Sequence, residues 1–349
     1  MYLPLKSLPA DPRSCLTRLG GRLSGRVVPS GMIAIVVAGA GAACAQTSEA
    51  DPPRSSGIPA LSASTETSVP EAWWTGPIIA SSGGTVPAGH LLFEPYLFDA
   101  RTSAGDYRGS LTYILYGVTD RLTLGMIPTF GAAHSKGNGA RPPPALNDLT
   151  LTAQYRLHRA DMGDAIPTFS LVVQHVLPLG RFDWLRSGSD RGIGSGSHAT
   201  LLGLYAQWSS RLPGNRILRT RVNMTGTFAK GTTVHGASVF GTPAGFRGHA
   251  YPGNSMFLDL SFEYSLTRNW VLASDLFHSW SGHGHVRGDI DGQPGYSTRL
   301  GASRSFGLAP AIEYSWSASR GVLLGVRRIM PAKNRLASWT PVVAFNVYL

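Results

Sequence analysis

Arg219 and Arg221 stand two residues apart, the spacing that puts both side chains on one face of a β-strand. Two guanidinium groups on one face attract carboxylates and other planar anions, because each offers a fixed fork of donors. The chain also carries single acids in otherwise apolar or hydroxyl-rich runs: Glu94, Asp148, Asp259, Glu263, Asp275 and Glu313. Arg156 and Arg299 occur in similar settings. Isolated charges of this kind support two chemistries. They can pair with one another to fill and stiffen an enclosed space, or they can form a polar constriction that sorts passing solutes. Spacing alone leaves both open.

Covalent and metal chemistry find less support. Ser197 and His198 are adjacent, and adjacent strand residues point to opposite faces, so they cannot form a proton relay. No Gly-x-Ser-x-Gly motif is present. An enzyme acting on lipids would need its serine and histidine on separate strands. His278, His283 and His285 gather near Asp289 and Asp291, but zinc requires about four well-placed ligands, and this stretch reads as solvated polar residues. Gly192-Ile-Gly-Ser-Gly196 lacks the strand–helix context of a phosphate loop and reads as a flexible outer loop. Cys15 and Cys44 both fall in a segment expected to be removed, which leaves neither a thiol nucleophile nor a disulfide. No catalytic residue, metal or cofactor is expected.

The elements that must position the charges are strands. In Asn147–Leu157, Leu149, Leu151, Ala153, Tyr155 and Leu157 share one face, opposite Asp148, Thr150, Thr152, Gln154 and Arg156. Ser255–Leu266 and Ile217–Phe228 alternate in the same way. Such runs reach the roughly 9–11 residues that cross a bilayer at a tilt. Twelve of them follow from His90 onward: 90–98, 110–118, 122–130, 147–157, 167–177, 198–208, 216–228, 255–266, 270–280, 306–317, 321–330 and 338–349. Short connections such as Thr119-Asp-Arg121 and Thr267-Arg-Asn269 alternate with long ones at 131–146, 178–196, 230–254 and 281–305. That alternation is what an outer-membrane barrel shows, with short periplasmic turns and long outer loops. The runs entering the short turns also repeat: Tyr116-Gly-Val-Thr-Asp-Arg121, Tyr264-Ser-Leu-Thr-Arg-Asn269 and Tyr314-Ser-Trp-Ser-Ala-Ser-Arg320, with looser copies at Tyr155 and Tyr205. Tyrosine recurring at one level suits an aromatic girdle, whose rings sit at the headgroup boundary. A charge facing lipid at mid-depth costs about 2–4 kcal/mol for Arg or Lys, so the isolated acids and arginines are expected to face the interior.

Before the strands, four arginines precede the apolar stretch Met32–Gln46, with Ala43-Cys44-Ala45 at its end. This order is that of a secretory signal cleaved near Ala45. Residues 46–88 are rich in Ser, Pro, Ala and Gly without periodicity and read as an extended arm or linker. Within it, Trp73-Trp74-Thr-Gly-Pro77 reads as a pair of interfacial aromatics, with insertion of the arm into the barrel mouth as the alternative. Charged residues make up only 15% of the chain, against roughly 25% in soluble domains. The formal charge is +11, but Lys6, Arg13, Arg18, Arg22 and Arg26 against Asp11 belong to the signal. The remaining basic residues are scattered, without the stripe that nucleic-acid binding requires.

Pro87-Ala-Gly-His-Leu-Leu-Phe-Glu-Pro-Tyr96, Trp73-Trp74-Thr-Gly-Pro77 and Glu263-Tyr-Ser-Leu-Thr-Arg-Asn-Trp270 resemble the outer-membrane family named for the phenol meta-cleavage degradation pathway. The resemblance covers about residues 70–349 and rests on turns and girdles. It implies movement of small, aromatic or hydrophobic solutes across the outer membrane.

The expectation is therefore an all-β antiparallel transmembrane barrel of about twelve strands over 89–349, exported to the bacterial outer membrane. It is expected to be monomeric, with outer-membrane lipids, the barrel-assembly machinery and small organic solutes as partners. A lipid-acting barrel enzyme and a structural or adhesive barrel are the alternatives.

Overall fold

The computed structural model describes residues 72–136, 142–185, 192–332 and 334–349. The expected signal segment and residues 46–71 of the expected arm lie outside the described residues. Every regular element among the described residues is a strand. Twelve of them close into one antiparallel barrel. In chain order these are β1 (Leu91–Thr102), β2 (Gly105–Thr119), β3 (Leu122–Ser135), β4 (Ala145–His158), β5 (Thr168–Leu177), β6 (Ala199–Leu212) and β7 (Arg216–Ala229). After two short strands come β10 (Ser255–Ser265) and β11 (Trp270–Ser281), and after two more come β14 (Ser303–Ser317), β15 (Arg320–Ile329) and β16 (Ser338–Tyr348). The seam joins β1 to β16, with Leu92 opposite Tyr348. It is locked where the backbones of Leu91 and Leu349 exchange two hydrogen bonds of 2.8 Å. Closure leaves no sheet edge, which lipid could not satisfy.

The alternation of side chains separates two environments. Leu124, Met126, Leu171, Val173, Leu202 and Leu272 point out of the barrel, each between 43% and 52% exposed, as a belt of apolar groups meeting acyl chains requires. Between them, inward residues such as Thr123, Val172 and Leu201 are buried. Tyr116 and Tyr155 are exposed near the short-turn rim, and Tyr264 and Tyr314 are half-buried there. Tyr205 departs from the expected girdle. Its neighbours Leu202 and Leu204 occupy the outward positions, and Tyr205 is turned inward at 3% exposure. β6 also continues to Leu212, so this tyrosine lies well inside the strand rather than at its end.

The connections expected at 230–254 and 281–305 are not simple loops. They contain β8 (Thr232–His235), β9 (Phe246–Tyr251), β12 (Gly284–Ile290) and β13 (Gln293–Leu300). These pair as a second sheet in the order β13-β12-β9-β8, with its own core of Val234, Phe240, Phe246, Ala250, Val286 and Leu300. Strands of four to eight residues give too few alternations to register against the period-two template. The local signal was Asp291-Gly292 between β12 and β13, which adopts φ of 51° and 77°. Two positive φ values in a two-residue loop define the tight hairpin that Asp-Gly favours. The Gly192–Gly196 segment is also packed rather than loose, since Ser195 donates its N–H to Asp148 at 2.8 Å.

Gly292→Val should strain this hairpin by about 1–3 kcal/mol, because a β-branched residue resists positive φ. Trypsin is expected to cut the 281–305 connection faster in this variant, while the folded barrel still migrates differently before and after boiling. Unchanged cleavage would contradict the assigned hairpin.

Candidate functional site

The interior is not empty. Residues 72–90, which form no regular element, enter at the β10–β11 turn, cross the lumen and leave beside the β2–β3 turn to begin β1. We call this segment the strap. Trp73 donates its N–H to the Arg268 carbonyl at 2.8 Å, and the Arg268 guanidinium lies 4.5 Å from the Trp73 ring. Trp74 is 7% exposed beneath the Arg219 guanidinium, 4.1 Å from its ring centroid. The two tryptophans are therefore at the foot of the strap and not simply in the membrane interface. The arm enters the barrel.

An aperiodic segment inside a barrel cannot pair its backbone in a ladder, so its N–H and C=O groups need side-chain partners. The interior charges supply them on one wall. A single Glu313 carboxylate oxygen accepts from the Thr75 N–H at 2.7 Å, the Thr75 hydroxyl at 3.0 Å and the Gly76 N–H at 3.0 Å. Asp275 accepts the Ala80 N–H at 3.0 Å. Arg221 donates to the Ala80 carbonyl at 2.9 Å and stands 2.8 Å from Glu263, which also faces Arg219 at 3.9 Å. Neutral side chains do the same on the other wall. Gln154 donates to the carbonyls of Ser82 and Gly84 at 3.0 and 2.8 Å, and Ser170 to that of Gly83 at 2.6 Å. Thr123 accepts the Val86 N–H at 2.9 Å on that wall, while Asn223, on the charged wall, donates to the Ser81 carbonyl at 3.1 Å. Gly83 is required where the strap presses on the wall, since a Cβ there would stand 2.5 Å from the Thr168 carbonyl oxygen.

Of the expected interior residues, Arg219, Arg221, Glu263, Asp275 and Glu313 converge on the strap. Glu94 and Asp259 are also buried in the lumen, Glu94 accepting the Tyr96 hydroxyl at 3.3 Å. Asp148 lies apart at the mouth, holding the β5–β6 connection through the N–H groups of Gly180 and Ser195. Arg156 is half-buried near the end of β4, away from the cluster. Arg299 was expected to face the lumen; it is instead exposed on β13 of the outer sheet, because that segment never joins the barrel wall. Sequence reasoning missed the neutral wall partners Thr123, Gln154, Ser170 and Asn223. Their alternation shows an inward direction but not what they touch.

Tyr205, with Ser81 of the strap, Gln154, Gln174 and Tyr113, lines a cavity of about 20 Å³. That is room for about one water molecule and not for an organic solute. Among the described residues, no three His, Cys, Asp or Glu side chains are grouped to hold a metal.

No family model matches the chain. No curated protein matches it either. Solved structures do. The COG4313 outer membrane channel from Pseudomonas putida F1 is 16% identical, covering 76% of this chain and 98% of its own, with a TM-score of 0.58. The β domain of the Bordetella autotransporter BrkA is 12% identical over 75% of this chain and 100% of its own, with a TM-score of 0.44. The KdgM porin is 9% identical over 72% and 98%, with a TM-score of 0.35. The first likeness shows the fold, that of an outer-membrane β-barrel. The other two are too distant to carry weight.

Charge-assisted hydrogen bonds contribute about 1.5–3 kcal/mol each, so the carboxylates should dominate retention of the strap. A Ser81→Cys probe is expected to react slowly with maleimide in the otherwise unchanged barrel. Adding Glu313→Ala and Asp275→Ala should accelerate labelling by at least about tenfold, equivalent to about 1.4 kcal/mol. Equal rates would show that these acids do not hold the strap.

Proposed function

We propose that the chain is an outer-membrane channel for small organic solutes whose conductance is set by the strap. The observation that carries this reading is the wall-to-wall placement of residues 74–86, hydrogen-bonded to β7, β11 and β14 on one side and to β3, β4 and β5 on the other. A purely structural barrel can fill its lumen with interlocking wall side chains. Here the filling is a separate segment held at discrete polar contacts. The resemblance to the phenol meta-cleavage family supports aromatic or hydrophobic solutes.

Arg219 and Arg221 act in this reading as clamps on the strap. Arg221 is fully buried between Glu263 and the Ala80 carbonyl, and Arg219 covers Trp74. Both become available to a solute only when the strap withdraws. Membrane lipids surround the wall, assembly follows the usual barrel route, and one chain suffices to enclose the lumen.

Planar-bilayer recordings test the proposal. The barrel lacking residues 72–86 should conduct at least about tenfold more than the full chain, and a closed deletion variant would overturn the channel reading. The double variant Arg219→Ala, Arg221→Ala should raise the open fraction. A reversal potential shifted toward cations, without more opening, would instead make the pair a selectivity filter.

A further inference from the structure

The second sheet has two unlike faces. Its apolar face packs against Phe182, Val239 and Phe240. Phe182 belongs to the β5–β6 connection, which Asp148 anchors inside the mouth, so this face is turned toward the barrel axis. The opposite face points away from the axis. Cross-strand register aligns Tyr251 with His285, His285 with Arg299, His249 with Arg287, and Arg247 with Asp289. Arg247, Arg287, Arg299 and His249 are exposed, and Tyr251 stacks on His285 at 4.6 Å between ring centroids.

The strands of this sheet follow those of the wall across irregular breaks at 252–254, 282–283 and 301–302. β11 passes into β12 through Gly282 and His283, and β13 into β14 through Gly301 and Ala302. At the top of that wall Trp280 stands opposite Arg304, both exposed and both outward. An interfacial tryptophan marks the level of the headgroups. The second sheet follows beyond it, on the side of the long connections.

We infer that the outward face of the second sheet, through Arg247, Arg287 and Arg299, binds the phosphate groups of the outer leaflet's phosphorylated glycolipid. The guanidinium forks match phosphate oxygens, and the stacked Tyr251 and His285 offer a flat surface to a sugar ring. Asp289, opposite Arg247 in the register, leaves the face cationic. This rests on the outer-membrane placement of the barrel, but not on what the lumen conducts.

The test uses the full chain in neutral detergent, titrated with bisphosphorylated lipid A or its dephosphorylated form, with bound lipid counted by native mass spectrometry. Replacing all three arginines by alanine should weaken binding of the phosphorylated lipid about hundredfold, or about fivefold for each arginine. Arginine-to-lysine replacements should retain most of the affinity, and the dephosphorylated lipid should bind both chains alike. Equal affinity of the alanine variant, no preference for phosphate, or tighter binding of an oligonucleotide or acidic peptide would overturn the inference. A chain that stays in water without detergent would sink the membrane placement itself.

Discussion

Hydrocarbon offers no hydrogen-bond partner, and that absence dictates the rest of this structure. Each wall strand must pair on both sides, so β1 returns to β16 and the sheet has no edge. Each outward position must be apolar, and the strict alternation then places every second residue in a sheltered interior. Charges excluded from one face are collected on the other. Glu94, Asp259, Glu263, Asp275 and Glu313 are all buried inside for that reason.

A sheltered interior crowded with acids needs donors, and the strap brings them. The two problems are complementary, because an aperiodic backbone has surplus N–H groups and a carboxylate accepts several at once. Glu313 holds three donors on one oxygen, and Asp275 holds Ala80. Arg221 serves both parties, facing Glu263 and donating to the strap. The wall at β3 to β5 is lined with neutral amides and hydroxyls that bind carbonyls more weakly. The strap is thus held asymmetrically, tightly by charges on one side and loosely on the other.

The barrel was legible because lipid enforces its pattern over long runs. Asp148–Leu157 alternates without exception, and all twelve expected strands fall on β1–β7, β10, β11 and β14–β16. The repeat of tyrosines before turns misled at Tyr205, where a loose copy of the motif met a strand whose outward places were already taken by Leu202 and Leu204. The second sheet escaped because its strands are too short to show their alternation against the surrounding connections. Insertion of the arm stood only as the alternative reading of Trp73-Trp74, for another reason. Its partners are remote, Thr75 and Glu313 lying 238 residues apart, and it has no period of its own. Trp73-Trp74 and the following Ile78-Ile79 were visible as an apolar interruption in a polar arm, yet nothing local says which surface they cover.

Both feet of the strap stand on the same rim, Trp73 beside the β10–β11 turn and Gly89 beside the β2–β3 turn, where its N–H reaches the Gly117 carbonyl at 2.8 Å. A cord that enters and leaves by one door is not threaded. It can be drawn out as a loop without breaking a rung of the cylinder, pivoting near Gly89, whose φ of 79° gives the chain its bend. A pull applied at Trp73 detaches the clamps in order, beginning with Trp74 and Thr75. Withdrawal of the strap is therefore peeling rather than unknotting, and resistance at any moment comes from the next few contacts instead of from all of them together.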